Sequence, residues 1–167
     1  MRKLAVVFFL VCLSSSLWAQ DEMFKSLFIY NFTKNIEWPA EYQSGDFIIT
    51  ILGNSPIVGE LEKISRLKKV GAQPIVIQKV NDASEIGKCN LIYITPSKSS
   101  QLSAILTTIE KKPIVIVGDK DGLAAAGAGL NFVKIEGKQK FEINTTALQR
   151  NGLKVNSYLS TLGIEVN

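Results

Sequence analysis

Histidine is absent from all 167 residues, and cysteine nearly so, with Cys12 and Cys89 alone. Without an imidazole there is no Ser-His-Asp or Cys-His nucleophile, no histidine-ligated zinc and no side chain titrating near neutral pH by default. Charge is also in short supply: 19 Lys and Arg stand against 15 Asp and Glu, a net +4. The basic clusters, Lys63-Arg66-Lys68-Lys69 and Lys134-Lys138-Lys140, read as solvated faces, so no nucleic acid is expected as a partner. Phosphate loops are missing too. Gly118, Gly122, Gly127 and Gly129 fit neither G-x-G-x-x-G nor the Walker pattern, and no cofactor is expected. Asp119-Lys120-Asp121-Gly122 opens like a calcium loop, but its twelfth position is Leu130 instead of a bidentate Glu, so no metal is expected either.

What is present begins with the leader. Arg2 and Lys3 precede an apolar run from Leu4 to Leu13, then Ser14 to Ser16 and Ala19-Gln20, the layout of a secretory signal peptide. The run is too short for a hydrocarbon core of ~30 Å, which takes about 20 apolar residues. Cleavage after Ala19 makes residues 1–19 the signal peptide and leaves 20–167 as a single exported domain. Arg2 and Lys3 leave with it, so the processed chain is closer still to neutral. Cys12 lies inside the apolar run, behind a branched Val11, and is not read as a lipid-bearing cysteine. Cys89 then remains alone, unable to form an intramolecular disulfide and expected to behave as a small buried hydrophobe.

Along the rest of the chain, Phe24, Leu27, Phe28, Phe32 and Ile36 predict an amphipathic helix over Glu22–Glu37, ended by Trp38-Pro39. On a 100° wheel Asn31 and Asn35 fall within the same arc, which predicts two amides facing the interior. Phe47–Leu52 is a continuous apolar run, the pattern of a strand covered on both faces. Ser55 and Pro56 then open a helix carrying Ile57, Leu61 and Ile64 to about Lys69. Pro74–Gln78, Leu91–Thr95 and Ile114–Val117 read as further strands, with a helix bearing Leu102, Ile105, Leu106 and Ile109 before the last. Gly118–Gly129 reads as a mobile loop or a weak helical turn. Leu130–Ile135 and Lys140–Ile143 predict an antiparallel hairpin, and Asn144 and Ser157 are placed as caps of two closing helices. The fold class is α/β: a mixed, mostly parallel sheet flanked by helices, with a C-terminal antiparallel hairpin.

Two sets of candidate residues follow. Asp119 and Asp121 stand at the carboxyl end of a predicted strand, where open α/β sheets place ligands. They support a small-ligand binding module, with the Gly118–Gly129 loop closing over a metabolite; a carboxylate-pair hydrolase is a weaker reading of the same residues. The other set lies on the first helix. Trp38, Phe32 and Tyr30 are candidate anchors for a protein partner, with Trp38 at the helix exit expected to be exposed, whereas the helical spacing of Phe24, Phe28 and Phe32 fits a core stripe.

The whole block Phe24-Lys25-Ser26-Leu27-Phe28-Ile29-Tyr30-Asn31-Phe32-Thr33-Lys34-Asn35-Ile36-Glu37-Trp38-Pro39 resembles the opening signature of the YfiR-like family of exported bacterial proteins. Phe47–Gly53, Cys89–Ile94, Ile114–Asp119, Phe141–Asn144 and Gly152–Ser157 with Leu159 resemble its later blocks in the same order. The resemblance implies a periplasmic regulator without catalysis. Its best-studied members hold an inner-membrane diguanylate cyclase inactive by binding its periplasmic sensor region; release raises cyclic di-GMP and favours biofilm. It also implies a homodimer and, for those members, redox control through paired cysteines. This chain keeps only Cys89, so intramolecular redox switching is not carried over.

Overall fold

Four apolar runs, each bounded by a turn residue, become the centre of one sheet. The computed structural model describes residues 20–166; the signal peptide and its cleavage point lie outside the described residues. Strands β2 (Phe47–Leu52), β4 (Gln73–Val80), β5 (Leu91–Ile94) and β6 (Val115–Gly118) run parallel in the order β6-β5-β2-β4. Every residue of β5 and β6 is buried, as expected of strands covered on both faces. Strand β7 (Leu130–Ile135) continues the parallel set beside β6 and pairs antiparallel with β8 (Lys138–Ile143). The hairpin turns at Glu136 and Gly137, both with positive φ (51° and 74°), the backbone of a two-residue turn.

Both outer positions of this eight-stranded sheet are held by two-residue strands: β3 (Lys69–Val70) against β4, and β10 (Ile164–Glu165) against β8. Short edges limit pairing with other chains. A separate two-stranded ribbon joins β1 (Ile36–Glu37) to β9 (Lys154–Val155) and ties the end of the first helix to the C-terminal segment. None of β1, β3, β9 or β10 carries enough apolar periodicity to be read from sequence.

Helices complete two layers around the sheet. The first helix, α1, covers residues 20–35; α2 (Ile57–Leu67) follows β2. Their buried residues, Ile29 and Phe32 of α1 and Ile57 and Leu61 of α2, share one core with Phe47, Ile49, Ile51, Tyr93 and Val117. On the opposite face α3 (Leu102–Thr108) packs Leu102 and Ile105 against Ile92, Ile94 and Ile116. The buried Cys89 belongs to this second core. The closing helices are α4 (Thr145–Arg150) and α5 (Ser157–Leu162). Asn144 caps α4 as read from sequence, its side chain accepting from the Ala147 N–H at 2.8 Å. The cap of α5 is Asn156, one residue before the expected Ser157.

The wheel of α1 is rotated from the sequence reading. The helix also stops at residue 35, two short of the expected Glu37, where Ile36–Glu37 pairs as β1; its buried arc is Lys25, Ser26, Ile29, Phe32 and Thr33, while Asn31 is exposed and Asn35 half-buried. The expected interior amides are therefore not there: Asn35 Nδ2 donates to the Asn31 carbonyl, 2.9 Å away on the helix's own backbone. The polar residues that are buried satisfy themselves locally, Ser26 Oγ on the Met23 carbonyl and Thr33 Oγ1 on the Tyr30 carbonyl, each at 2.7 Å. Serine and threonine hide on an apolar face in this way because their hydroxyls reach the preceding turn. Leu27, counted toward the core by spacing, points outward at 47% exposure.

Candidate functional site

The chain goes from β2 through α2 to β4 on one side, then crosses back to β5 on the other. Helices α2 and α3, which follow these two neighbouring strands, lie on opposite faces of the sheet. Between β2 and β5 the strand order thus reverses, and open α/β sheets form their ligand crevices at the carboxyl ends of such a pair. A cavity of about 410 Å³ opens there, lined by Asn54 and Ser55 beyond β2, Pro56, Pro96 beyond β5, Asp119 beyond β6, and Glu22 and Lys25 from α1.

Gly53 makes the tight exit from β2 possible. Its φ is +94°, and a Cβ there would collide with Thr95 Oγ1 and with Lys98 Cγ. Thr95 Oγ1 in turn donates to the Leu52 carbonyl at 2.8 Å and locks the two strand ends together. Ser55 Oγ accepts from the Ile57 N–H at 3.3 Å, as expected for the residue ahead of α2.

Inside the cavity three charged side chains meet, only 10–14% exposed. Lys25 Nζ lies 2.7 Å from Asp119 Oδ2 and 3.4 Å from Glu22 Oε1. From below, the fully buried Tyr93 donates its hydroxyl to the same Asp119 oxygen at 2.6 Å. Burial first, and the negative charge of Asp119 second, push the Tyr93 phenol far above its ordinary range, so it stays a donor. Glu22 is less well served: its second oxygen accepts from Ser55 Oγ at 3.4 Å.

Of the residues singled out in the sequence, Asp119 falls in this site and Asp121 does not, being exposed on the turn beyond it. The remainder of Gly118–Gly129 is folded down rather than poised as a cover. Leu123, Ala124 and Ala128 are buried, the Ala128 N–H donates to the Leu123 carbonyl, and Asn144 Nδ2 holds the Ala124 carbonyl at 2.9 Å. Glu22, Lys25 and Ser55 escaped sequence reasoning. The one signal available was the charge pair Glu22–Lys25 at helical spacing, opposite the outward Leu27.

The α1 anchors divide differently. Trp38, expected to be exposed, is 6% exposed and packs edge-on against Phe47 at 5.0 Å between ring centres. Trp38 directly follows β1, whose pairing with β9 ties this segment to the C-terminal part of the chain, and its side chain joins the core with Ile36 and Phe47. Phe32 is fully buried against Phe132 and Phe141, as its helical spacing predicts. Tyr30 alone reaches the surface, half-buried, with Lys34 Nζ 4.7 Å above its ring. Beside it on the outward side of α1 stand Met23 and Leu27, each close to half exposed.

The sequence profile of the YfiR/HmsC-like family matches residues 22–163, from the ionic residue Glu22 to the end of α5. The chain belongs to the YfiR/HmsC-like family. Its members are in general non-catalytic regulators, and membership is consistent with a role in cyclic di-GMP signalling. No curated protein matches the sequence. Within the cavity, Lys25 and the Tyr93 hydroxyl are both engaged on Asp119. No helix among the described residues is long and apolar enough to cross a membrane.

Proposed function

We propose that this YfiR/HmsC-like protein is a periplasmic, non-catalytic regulator that binds and inhibits the periplasmic region of an inner-membrane signalling protein, a diguanylate cyclase or a related sensor. The family match over residues 22–163 carries the proposal, and the signal-peptide layout of residues 1–19 supports the location. Inhibition of this kind needs no chemistry. A regulator that prefers the off state of its receptor shifts the population by its difference in affinity for the two states.

The outward face of α1 is the surface assigned to the partner: Met23 and Leu27, with Tyr30 half-buried between them and Lys34. It replaces Trp38 and Phe32, whose burial spends them on the core. Affinity capture from detergent-solubilised membranes with the tagged protein tests the role. A cyclase or sensor with a periplasmic segment is expected in the eluate, lost with Leu27→Asp; deletion of the gene is expected to raise cyclic di-GMP. Unchanged cyclic di-GMP in the deletion strain, together with no membrane protein captured, contradicts the proposal.

A further inference from the structure

The cavity between β2 and β5 holds a charge imbalance that the described residues do not neutralise. Two carboxylates, Glu22 and Asp119, share the single ammonium of Lys25, and all three side chains are withdrawn from water. The shares are unequal. Asp119 has two short bonds, from Lys25 and Tyr93, whereas both contacts of Glu22 are stretched to 3.4 Å. A carboxylate taken out of water needs partners at hydrogen-bond distance, and each one missing is unfavourable.

The surroundings select the sign and shape of an occupant. The opening turn of α2 offers little to an anion: the Ile57 N–H is held by Ser55 Oγ, and the Val58 and Gly59 N–H groups bond to the Ser55 and Pro56 carbonyls. Of the nearby lysines, Lys120 Nζ donates to Ser99, and Lys79 borders an adjoining recess that shares Asn54, Ser55 and Pro56 with this cavity. Pro56 and Pro96 give the mouth of the cavity rigid apolar walls.

We propose that this cavity binds a small organic cation, an alkylammonium whose charge seats on Glu22 and whose apolar body lies against Pro56 and Pro96. The cation completes the pairing that Lys25 leaves unfinished, and its body fills a crevice built where open α/β sheets receive ligands. Glu22 and Lys25 lie on the same two turns of α1 as Met23 and Leu27, so an occupant also bears on the face assigned to the membrane partner, a consequence that rests on the regulatory role.

Titration calorimetry of the purified protein, with no partner present, tests the site with three probes of one size: n-butylammonium, n-butanol and butyrate. The expected result is saturable binding of butylammonium at least about tenfold tighter than of the other two. Glu22→Gln is expected to weaken it about tenfold or more, while Asp121→Asn, on the neighbouring turn and outside the cavity, leaves it unchanged. Butyrate binding as tightly, no heat from any probe, or a folded Glu22→Gln protein with unaltered affinity overturns the proposal. Should Glu22→Gln fail to fold, the three probes on the unaltered protein decide it alone. Because no partner enters the titration, its failure leaves the regulatory role standing, and loss of that role leaves the site standing.

Discussion

The two ends of α1 are fastened to the same sheet by different physics. The C-terminal half is held by Ile29 and Phe32, with Phe32 4.9 Å from the Phe141 ring and 5.9 Å from that of Phe132. The N-terminal half is held over the carboxyl edge by Lys25, which bridges Asp119 and Glu22. Apolar burial is non-directional and yields only to removal of the side chain, at about 25 cal/mol per Å². A withdrawn ion pair sits near balance, its attraction offset by desolvation, and a competing charge can replace it. One end of the helix is therefore structure, and the other is adjustable. The adjustable end is the one that borders the cavity.

The strongest way to break this contrast is Phe32→Ala. Deleting a fully buried ring that touches Phe28, Phe132 and Phe141 is expected to lower stability by about 3–5 kcal/mol in urea unfolding. A loss under about 1 kcal/mol would mean that the C-terminal half is not the anchor. At the other end, Lys25→Met strands two carboxylates and is expected to lower stability by about 3 kcal/mol. Adding Asp119→Asn is expected to restore part of that loss, because the amide is neutral and still accepts from Tyr93, which leaves Glu22 as the one stranded carboxylate. Equal losses in the single and double variants would show that the ion pair is not what holds this end.

Much of the sheet was legible because its strands are unbroken apolar runs bounded by Gly or Pro. Phe47–Leu52 has the bounds read from sequence, and β5 and β6 differ by single residues at their ends. The Asn144 cap and the hairpin around Glu136-Gly137 were legible for the same reason: local chemistry decides them. The ionic site was not. Lys25 and Glu22 look like surface charges on a helix, and only the sheet's reversal at β2/β5 brings Asp119, 94 residues from Lys25, into contact. The burial of Trp38 was not legible for a related reason: it follows a two-residue strand whose pairing with β9 has no sequence signature.

Alkaline pH sharpens the contrast by weighing a third region, the opposite face of the sheet. Burial pushes the Cys89 thiol up from 9.0 to about 11. The folded protein thus keeps a proton that the unfolded chain gives up. The contribution is fully present below pH 9, erodes above it and is gone by about pH 11, an expected loss of about 2–3 kcal/mol. Tyr93, shifted in the same direction beneath the ionic end, adds a loss of the same sign at higher pH. Unfolding free energy measured from pH 8 to 11 is expected to fall less steeply in Cys89→Ala than in the unaltered protein. Identical slopes would assign the alkaline loss elsewhere, with Tyr93 the next group to examine.

The smallest expected effect on the fold falls on the residue with the largest expected effect on function. Leu27 lies one turn from Met23 on the outward side of α1, 47% exposed. Leu27→Asp is expected to change stability by no more than about 0.5 kcal/mol, the usual range for a surface substitution. An aspartate placed in an apolar contact with a partner is left desolvated and unpaired, which is expected to weaken capture of the membrane protein by tenfold or more. Lys34→Ala, on the same face but charged and at its margin, is expected to change capture little. A Leu27→Asp protein that melts normally and still captures its partner would move the partner surface off α1. The exposed apolar residues of α5, Tyr158 and Leu162, would then be the next to substitute.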